Sequence, residues 1–412
     1  MQTPFLRLSI PLWANILFNQ VVYRHAAEQA LDNWNIKVTN LDLASRSENV
    51  VYKVTSEKNE KFALRIHRPG YNRLEELESE VVWAEALRKA GVYVPTHIET
   101  RDHQFYTCVE LGDKNTPHQV GLIEWLEGDS LETLVSKASN EIIDASYFKL
   151  GKLMAQVHNQ TSNWTPPKSF KRRSWHADGL MGPEPLWGKF WETAELSSEQ
   201  KKALKSMQSH VHNQLMELNQ TKDNFGLIHA DLHARNVLVQ GDKLQIIDFD
   251  DCGYSWHSYE IAVAETDALS SLDPKVVTAQ EIRNALIEGY RSIRHLNSQI
   301  EKELNTLTMV RTLIQLGWAN DRRELMGAEF FTSYIDHLID TNLRSKRLQK
   351  TKPLDDYSYV RRTYLTVIGR IPTQEEILSF LDDRDFNKKD KLIQKLLPVS
   401  YTHLTLPTNR EV

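Results

Sequence analysis

Strand-like patterning dominates the early chain. VVYKV (50–54) and KFALRI (61–66) are β-rich runs, and the polar stretch TSEKNE joins them, which is the pattern of a hairpin. Residues 37–125 read mostly as strands, with further runs at Thr96–Thr100, Phe105–Leu111 and Val120–Trp125. One segment there changes period. LEELESEVVWAEALRKAG (74–91) carries Leu77, Val81, Ala84 and Leu87 at helical spacing, with acidic residues early, Lys89 late and Gly91 as a stop. Gly128 breaks the β pattern. Beyond it, 144–161 and 197–218 are amphipathic, the second capped by Ser197 or Ser198 with Glu199 or Gln200 near the third position. Strand character returns briefly at 227–247, and helices then run to about Arg344. The order predicts an α+β fold: a small β-rich lobe, then a larger helical lobe holding one hairpin.

Composition narrows the class. The chain has 412 residues, 41% hydrophobic and 25% charged, so a stable core needs no covalent staples. Lys+Arg 50 against Asp+Glu 55 leaves a net charge of −5, which offers no electrostatic footprint for nucleic acid. The two cysteines, Cys108 and Cys252, fit a reducing compartment. FLRLSIPLWANILF near the start is interrupted by Arg7, Pro11 and Asn15 and reads as a docking helix or strand, not a signal peptide. No stretch reaches the ~18–20 apolar residues of a membrane span. A cytoplasmic protein is expected.

The densest chemistry lies in LIHADLHARNVLVQGDKLQIIDFDD (227–251). Asn236 and Asp248 fall at the open ends of one predicted hairpin, so Asp231, Asn236 and Asp248 can converge. An amide and a carboxylate suit a hard cation such as Mg²⁺, which takes its other ligands from phosphates and water. A separate carboxylate can orient a hydroxyl and accept its proton, the phosphoryl-transfer arrangement. Two other readings fit the same residues. They are turn and cap residues of an ordinary hairpin, or a metal hydrolase site of His229, Asp231 and His233 with Asp248 or Asp250. His229 reads as a structural histidine bonded to the loop backbone.

HADLHARNVL followed by IIDFDD resembles the aminoglycoside phosphotransferase-like kinases, the group that includes choline kinases and type II homoserine kinases. FALRIHRPGY, LIEWLEGDSL, GLMGPEPLWGKFWE and DCGYSWHSYEIAVA agree, and the resemblance covers roughly residues 15–345. It implies a protein-kinase-like two-lobed fold that moves the γ-phosphate of ATP to a hydroxyl or amine of a small molecule. A protein Ser/Thr kinase of the same family and a nucleotide-binding pseudokinase-like module are the alternatives. Residue by residue, the resemblance implies Asp231 as base and Asn236 and Asp248 as Mg²⁺ ligands. His233 would touch the transferred phosphate, and Asp250 would support the metal shell. Arg65, paired with Glu80, would hold the ATP phosphates, and Glu124, Trp125 and Leu126 would form the adenine-binding hinge. The phosphate-covering turn SRSENVV (45–51) lacks glycine, leaving Ser47 and Asn49 to cap phosphates. Glu260 stands where an aspartate is usual. Asp251, Tyr254 and Trp256 would line the acceptor side.

The implied organisation is a nucleotide-binding lobe at 1–126, a helical lobe at 127–345, a basic linker at 346–353 and a helical fragment at 354–398, in which Pro372-Thr373 opens a helix. YSYVRRTYLTVIGRIPTQEEILSFLDD resembles part of a bacterial domain of unknown function found beside c-type cytochrome domains. Residues 399–412 look like translated sequencing adapter. The oligomeric state is not readable from the sequence.

Overall fold

The computed structural model describes residues 12–322, apart from 48, 112–115, 195 and 297–299, and parts of 356–396. The chain divides into two compact units, 1–338 and 339–412.

The first unit opens with helix α1 (Leu12–Leu31), so the early apolar run becomes helix from Leu12 onward; Phe5–Pro11 lie outside the described residues. Five antiparallel strands follow: β1 (Val38–Arg46), β2 (Val50–Ser56), β3 (Lys61–Ile66), β4 (Tyr106–Leu111) and β5 (Thr116–Glu124). Their spatial order is β1-β2-β3-β5-β4. Alternate residues of β2 are buried, as period two requires of a sheet with one covered face. Tyr52, Val54, Leu64, Val120 and Leu122 pack there with Trp34 and with Ala26, Ala27 and Ala30 of α1. Helix α2 (Leu74–Lys89) buries Leu77, Val81, Ala84 and Leu87, and Gly91 beyond it takes φ 85°, as a helix stop needs.

One expected strand does not form. Residues 96–100 run beside β5, with Ile98 N donating to Leu122 O at 2.9 Å and Glu124 N to Thr96 O at 2.8 Å, but only His97 makes a bridge. β4 pairs with β5 only as far as Gly121, so residues 96–98 meet just the last three residues of β5, too short a stretch to make a strand.

The helical lobe follows Gly128. That residue has φ 140°, and a Cβ there would lie 2.5 Å from Val239 O, so only glycine lets the chain pass. Short strand β6 (Asp129–Ser130) pairs with β8 (Val237–Gln240), which pairs with β9 (Lys243–Ile246). Gly241, first in the β8–β9 turn, has φ 60°, as a two-residue hairpin loop demands. Strands β7 (Phe225–Ile228) and β10 (Gly253–Trp256) pair separately. Helices α3 (Leu131–Val135), α4 (Asn140–Ser162), α5 (Ala177–Met181), α6 (Ser198–Met216), α7 (His257–Ser271), α8 (Ala279–Arg291) and α9 (Ile300–Asp321) build the rest. Ser197 caps α6, accepting from Gln200 N while Gln200 Oε1 accepts from Ser197 N at 2.7 Å. The helical reading beyond Arg322 lies outside the described residues.

In the second unit, helix α10 (Gln374–Asp382) is capped by Thr373, with Glu376 completing the capping box. Phe380 packs with Val360, Tyr364, Leu392 and Leu396. Residues 346–353 and 399–412 lie outside the described residues. Among the described residues, no helix is long and apolar enough to cross a membrane.

Candidate active site

Two strand pairs deliver the polar residues to one place. Gly253 of β10 is opposite Ile228 of β7, so segments 229–236 and 247–252 leave the same end of that pair. The β8–β9 hairpin closes the gap: Val237 is opposite Ile246, and Ile247 N donates to Asn236 O at 3.0 Å. Asp231, Asn236 and Asp248 therefore meet although the sequence separates them.

The loop that carries Asp231 is held from beneath. Glu260, fully buried in α7, accepts from His229 N at 2.7 Å and from Leu232 N at 3.3 Å. Between those amides Ala230 takes φ 65°, a conformation that costs a non-glycine residue roughly 1–2 kcal/mol. Glutamate thus supplies the anchoring in place of the usual aspartate. His229 spends both ring nitrogens on backbone: Nε2 lies 3.0 Å from Ile247 O, and Nδ1 accepts from Asp231 N at 3.3 Å. Burial keeps this imidazole neutral, with its pKa lowered, and leaves it no nitrogen for a metal.

Asp231 sits in a tight ring of partners. Asn236 Nδ2 donates to its carbonyl and to its Oδ2, both at 3.0 Å. His233 Nε2 is 3.2 Å from Oδ2, and Arg311 Nη2 of α9 is 2.5 Å from Oδ1. Burial opposes ionisation, but His233 and Arg311 outweigh it and hold the carboxyl well below its usual range. Burial also works against the His233 cation, yet Asp231 raises its pKa. His233, expected against the transferred phosphate, is buried against Asp231 instead.

Asp248 is placed differently. Its backbone has φ 65° and its side chain is 47% exposed. Desolvation and the nearby carboxylates of Asp250, Asp231 and Asp251 push its pKa up to about 7, against the pull of Arg65. Arg65 binds three acids at once: Glu80 of α2 at 3.3 Å, Asp248 at 2.8 Å and Asp250 at 3.1 Å. The Arg65–Glu80 pair is buried on both sides, and Arg65 further ties the sheet lobe to the segment after β9.

Three expectations shift. Asn49, expected to cap phosphates, is buried and committed: Nδ2 donates to Asp250, and Oδ1 accepts from Arg68 N at 3.2 Å. That fastens the 46–50 turn, where Ser47 is exposed and its amide donates to Asn49 O at 3.0 Å. Asp250, expected in a metal shell, is enclosed by Asn49, Arg65 and His67, and its pKa is lowered: burial opposes this, and Arg65 prevails. Trp256, expected on the acceptor side, is buried in the helical lobe with Nε1 3.4 Å from Asn219 O.

Residues 124–127, expected as the hinge, are braced by backbone and side-chain contacts. Trp125 N donates to Lys61 O at 3.1 Å, Gln245 Nε2 donates to Glu127 O at 2.8 Å, and Lys53 Nζ lies 4.6 Å from the Trp125 ring centre. Glu124 Oε2 accepts from Thr96 Oγ1 at 2.9 Å, and Leu126 is half-buried. Arg311, Arg172 and Arg173 carried no sequence signal, and Tyr71 stood only as the last residue of FALRIHRPGY, with no role assigned. Arg172 donates to the carbonyls of Glu76, Phe249, Asp250 and Cys252, and Tyr71 donates to Asp251.

Among the described residues, no three His, Cys, Asp or Glu side chains gather as a metal cage. A small sheet lobe followed by a helical lobe, with Asp231, Asn236 and Asp248 brought to one end of two strand pairs, is the arrangement of an ATP-dependent phosphotransferase of the kinase-like class. The chain belongs to the phosphotransferase enzyme family, whose model matches residues 41–296. It is similar to an amicoumacin kinase of Bacillus subtilis (strain 168), 24% identical over 59% of this chain and 69% of that one. The solved structure of a microcompartment-associated aminopropanol kinase is 29% identical, covers 80% of this chain and 98% of its own, and has a TM-score of 0.66. An amicoumacin kinase in complex with AMP-PNP, Ca²⁺ and Ami shares the fold at 19% identity and a TM-score of 0.64, covering 79% of this chain and 96% of its own. Residues 334–402 match a separate family of unknown function.

Proposed function

We propose that the enzyme works with Mg²⁺·ATP and that Asp231 is its catalytic base, with a hydroxyl of a small molecule as acceptor. The observation that carries this is the double hydrogen bond from Asn236 Nδ2 to Asp231. It spends the amide nitrogen and leaves Asn236 Oδ1 available as a hard oxygen ligand. Asp248, partly exposed and crowded by other carboxylates, is the second ligand. Bound Mg²⁺ supplies charge neutralisation between the β- and γ-phosphates. Arg65 holds phosphate oxygens through its guanidinium fork, kept in place by Glu80. The backbone of Glu124, Trp125 and Leu126 borders the adenine, and Ser47 covers the phosphates.

Asp231 orients the acceptor hydroxyl and takes its proton late in transfer. A carboxylate so strongly stabilised by His233 and Arg311 is a weak base, which suits a loose transition state that asks mainly for positioning. His233 acts on Asp231 as a positioning residue. Residues 1–126 form the nucleotide-binding lobe and 127–345 carry the catalytic and metal loops, with no part for nucleic acid or membrane, in a cytoplasmic setting that suits the free Cys108 and Cys252.

The test is Asp231→Asn, which keeps the shape and removes the charge. Turnover should fall by roughly 10²–10⁴, the size of general-base and positioning effects. Affinity for Mg²⁺·ATP should hardly change. Unaltered turnover refutes the assignment, and joint loss of metal affinity and activity would instead make Asp231 a metal ligand.

A further inference from the structure

Beside the catalytic residues lies a cavity of about 660 Å³ that the reading above does not use. It shares a wall with the catalytic centre. Trp187 lines it, and Arg311, the partner of Asp231, lies 4.7 Å from the Trp187 ring centre. Trp187 Nε1 also donates to Tyr71 Oη at 2.9 Å, and Tyr71 in turn donates to Asp251, three residues past Asp248.

The charge of this cavity runs against that of the molecule. The chain as a whole is at −5. Among the described residues lining the cavity are six cations: Arg68, Arg73, Lys171, Arg172, Arg173 and Arg322. The carboxylates among the described lining residues are Glu76 and Asp321, and Asp251 behind them reaches Arg173 at 3.9 Å. Asp321 serves two of the cations, with Arg68 at 2.9 Å and Arg322 at 3.6 Å. Arg172 directs its donors to carbonyls, which satisfy hydrogen bonds but carry no net charge to cancel a guanidinium, while Arg173 donates to Tyr71 O and to the Asn72 side chain and lies 4.0 Å from Glu76 and 3.9 Å from Asp251. Arg173 further stacks over Tyr71, 4.5 Å from its ring centre. Lys171 is exposed at the mouth, as is Arg73, whose 84% exposed side chain keeps Nε 3.8 Å from Glu76. Like charges gathered in a concave, aromatic-walled space repel one another and draw in an anion.

We propose that this cavity binds an anionic group of the acceptor, a carboxylate or a phosphate, so that the substrate class is an acidic alcohol. The proposal rests on the kinase reading of the site, and it sets the acceptor apart from simple amino alcohols. Tyr71 and Trp187 supply the flat walls for the carbon skeleton, and the basic mouth takes the charge. The hydroxyl is left on the far side of Trp187, toward Asp231.

The experiment uses the full chain and matched alcohols of graded length: a hydroxycarboxylate, its uncharged amide, the corresponding amino alcohol and a hydroxyalkyl phosphate. Binding is read by tryptophan fluorescence and turnover by ATP consumption. The acids should bind and react best, with the carboxylate and phosphate arms showing which oxyanion fits. Lys171→Glu and Arg73→Glu should each weaken acid binding by roughly 10- to 100-fold, the scale of a charge-assisted contact. Background ATP hydrolysis without acceptor should not change. Both side chains are exposed, and melting curves would show that the variants fold; Lys171→Gln replaces the reversal if it does not. Equal or better binding of the amide or amine, no binding of any acid, or acid binding that survives both reversals would overturn the proposal. Acid binding without turnover would instead uphold the pocket and refute the kinase reading, so the two fail separately.

Discussion

Arg311 Nη2 stands 2.5 Å from Asp231 Oδ1, across 80 positions of sequence. The guanidinium comes from α9, is 5% exposed, and lies over the Trp187 ring. It fixes the direction of the carboxylate from which the acceptor must be addressed. Arg311→Met should reduce kcat by on the order of 10², the cost of misplacing a reacting group by about an ångström. ATP affinity should be kept. Single-turnover kinetics with a saturating acceptor would read the loss, and an unchanged kcat would show that His233 and Asn236 suffice to orient Asp231.

Asp248→Ala should abolish turnover and remove the divalent-cation requirement for nucleotide binding, because Asp248 is one of only two proposed protein ligands. Titrating ATP with and without Mg²⁺ on wild type and variant is the measurement. Full activity in a chelator, or dependence on zinc, would argue for other chemistry.

Glu260→Ala should destabilise the catalytic loop. It orphans the buried amides of His229 and Leu232, at about 1–3 kcal/mol for each, and it frees Ala230 from its left-handed conformation. Chemical denaturation should show the loss. Glu260→Gln, which keeps one carbonyl acceptor, should recover part of it.

Acid should weaken the fold through His158. This residue of α4 is fully buried, 2.8 Å from Tyr290 Oη and stacked on His257 with ring centres 4.2 Å apart. Burial lowers its pKa to about 3. As the pH falls below the ordinary histidine range, the unfolded chain takes up the proton while the folded chain does not. Stability is therefore complete above about pH 6.5 and declines toward pH 3, by about 2 kcal/mol at pH 5 from this group. Urea unfolding at pH 7.5 and pH 5 tests this, and His158→Gln should flatten the dependence.

Deleting 350–412 should leave the first unit folded, with a Tm within a few degrees of the full chain, because that unit carries its own sheet core and helices. Differential scanning fluorimetry on the truncated chain checks it, and a collapse of the melting transition would join the tail to the kinase fold.

Much of the site is local, and local geometry is legible. The hairpin between Val237 and Ile246 needs only alternating apolar residues and a Gly-Asp turn, and its closure brings Asn236 next to Asp248 whatever the rest of the chain does. The α2 helix and the Ser197 cap are equally local, since side chains within one turn of each other decide them. The sheet lobe was readable as strands, but residues 96–100 find only the last three residues of β5 free beyond its pairing with β4, too short an edge for a strand. Nothing near Asp231 announces Arg311, nothing near Asn49 announces Asp250, and Glu260 reads as a misplaced aspartate until its carboxylate is seen beneath two loop amides. His233 and Asn49 changed partners for the same reason: a buried polar side chain takes the nearest complementary group, and packing decides which group is nearest. The basic cavity beside Trp187 is the extreme case. Its cations come from segments 68–73, 171–173 and 322, and only the meeting of both lobes turns scattered arginines into one field.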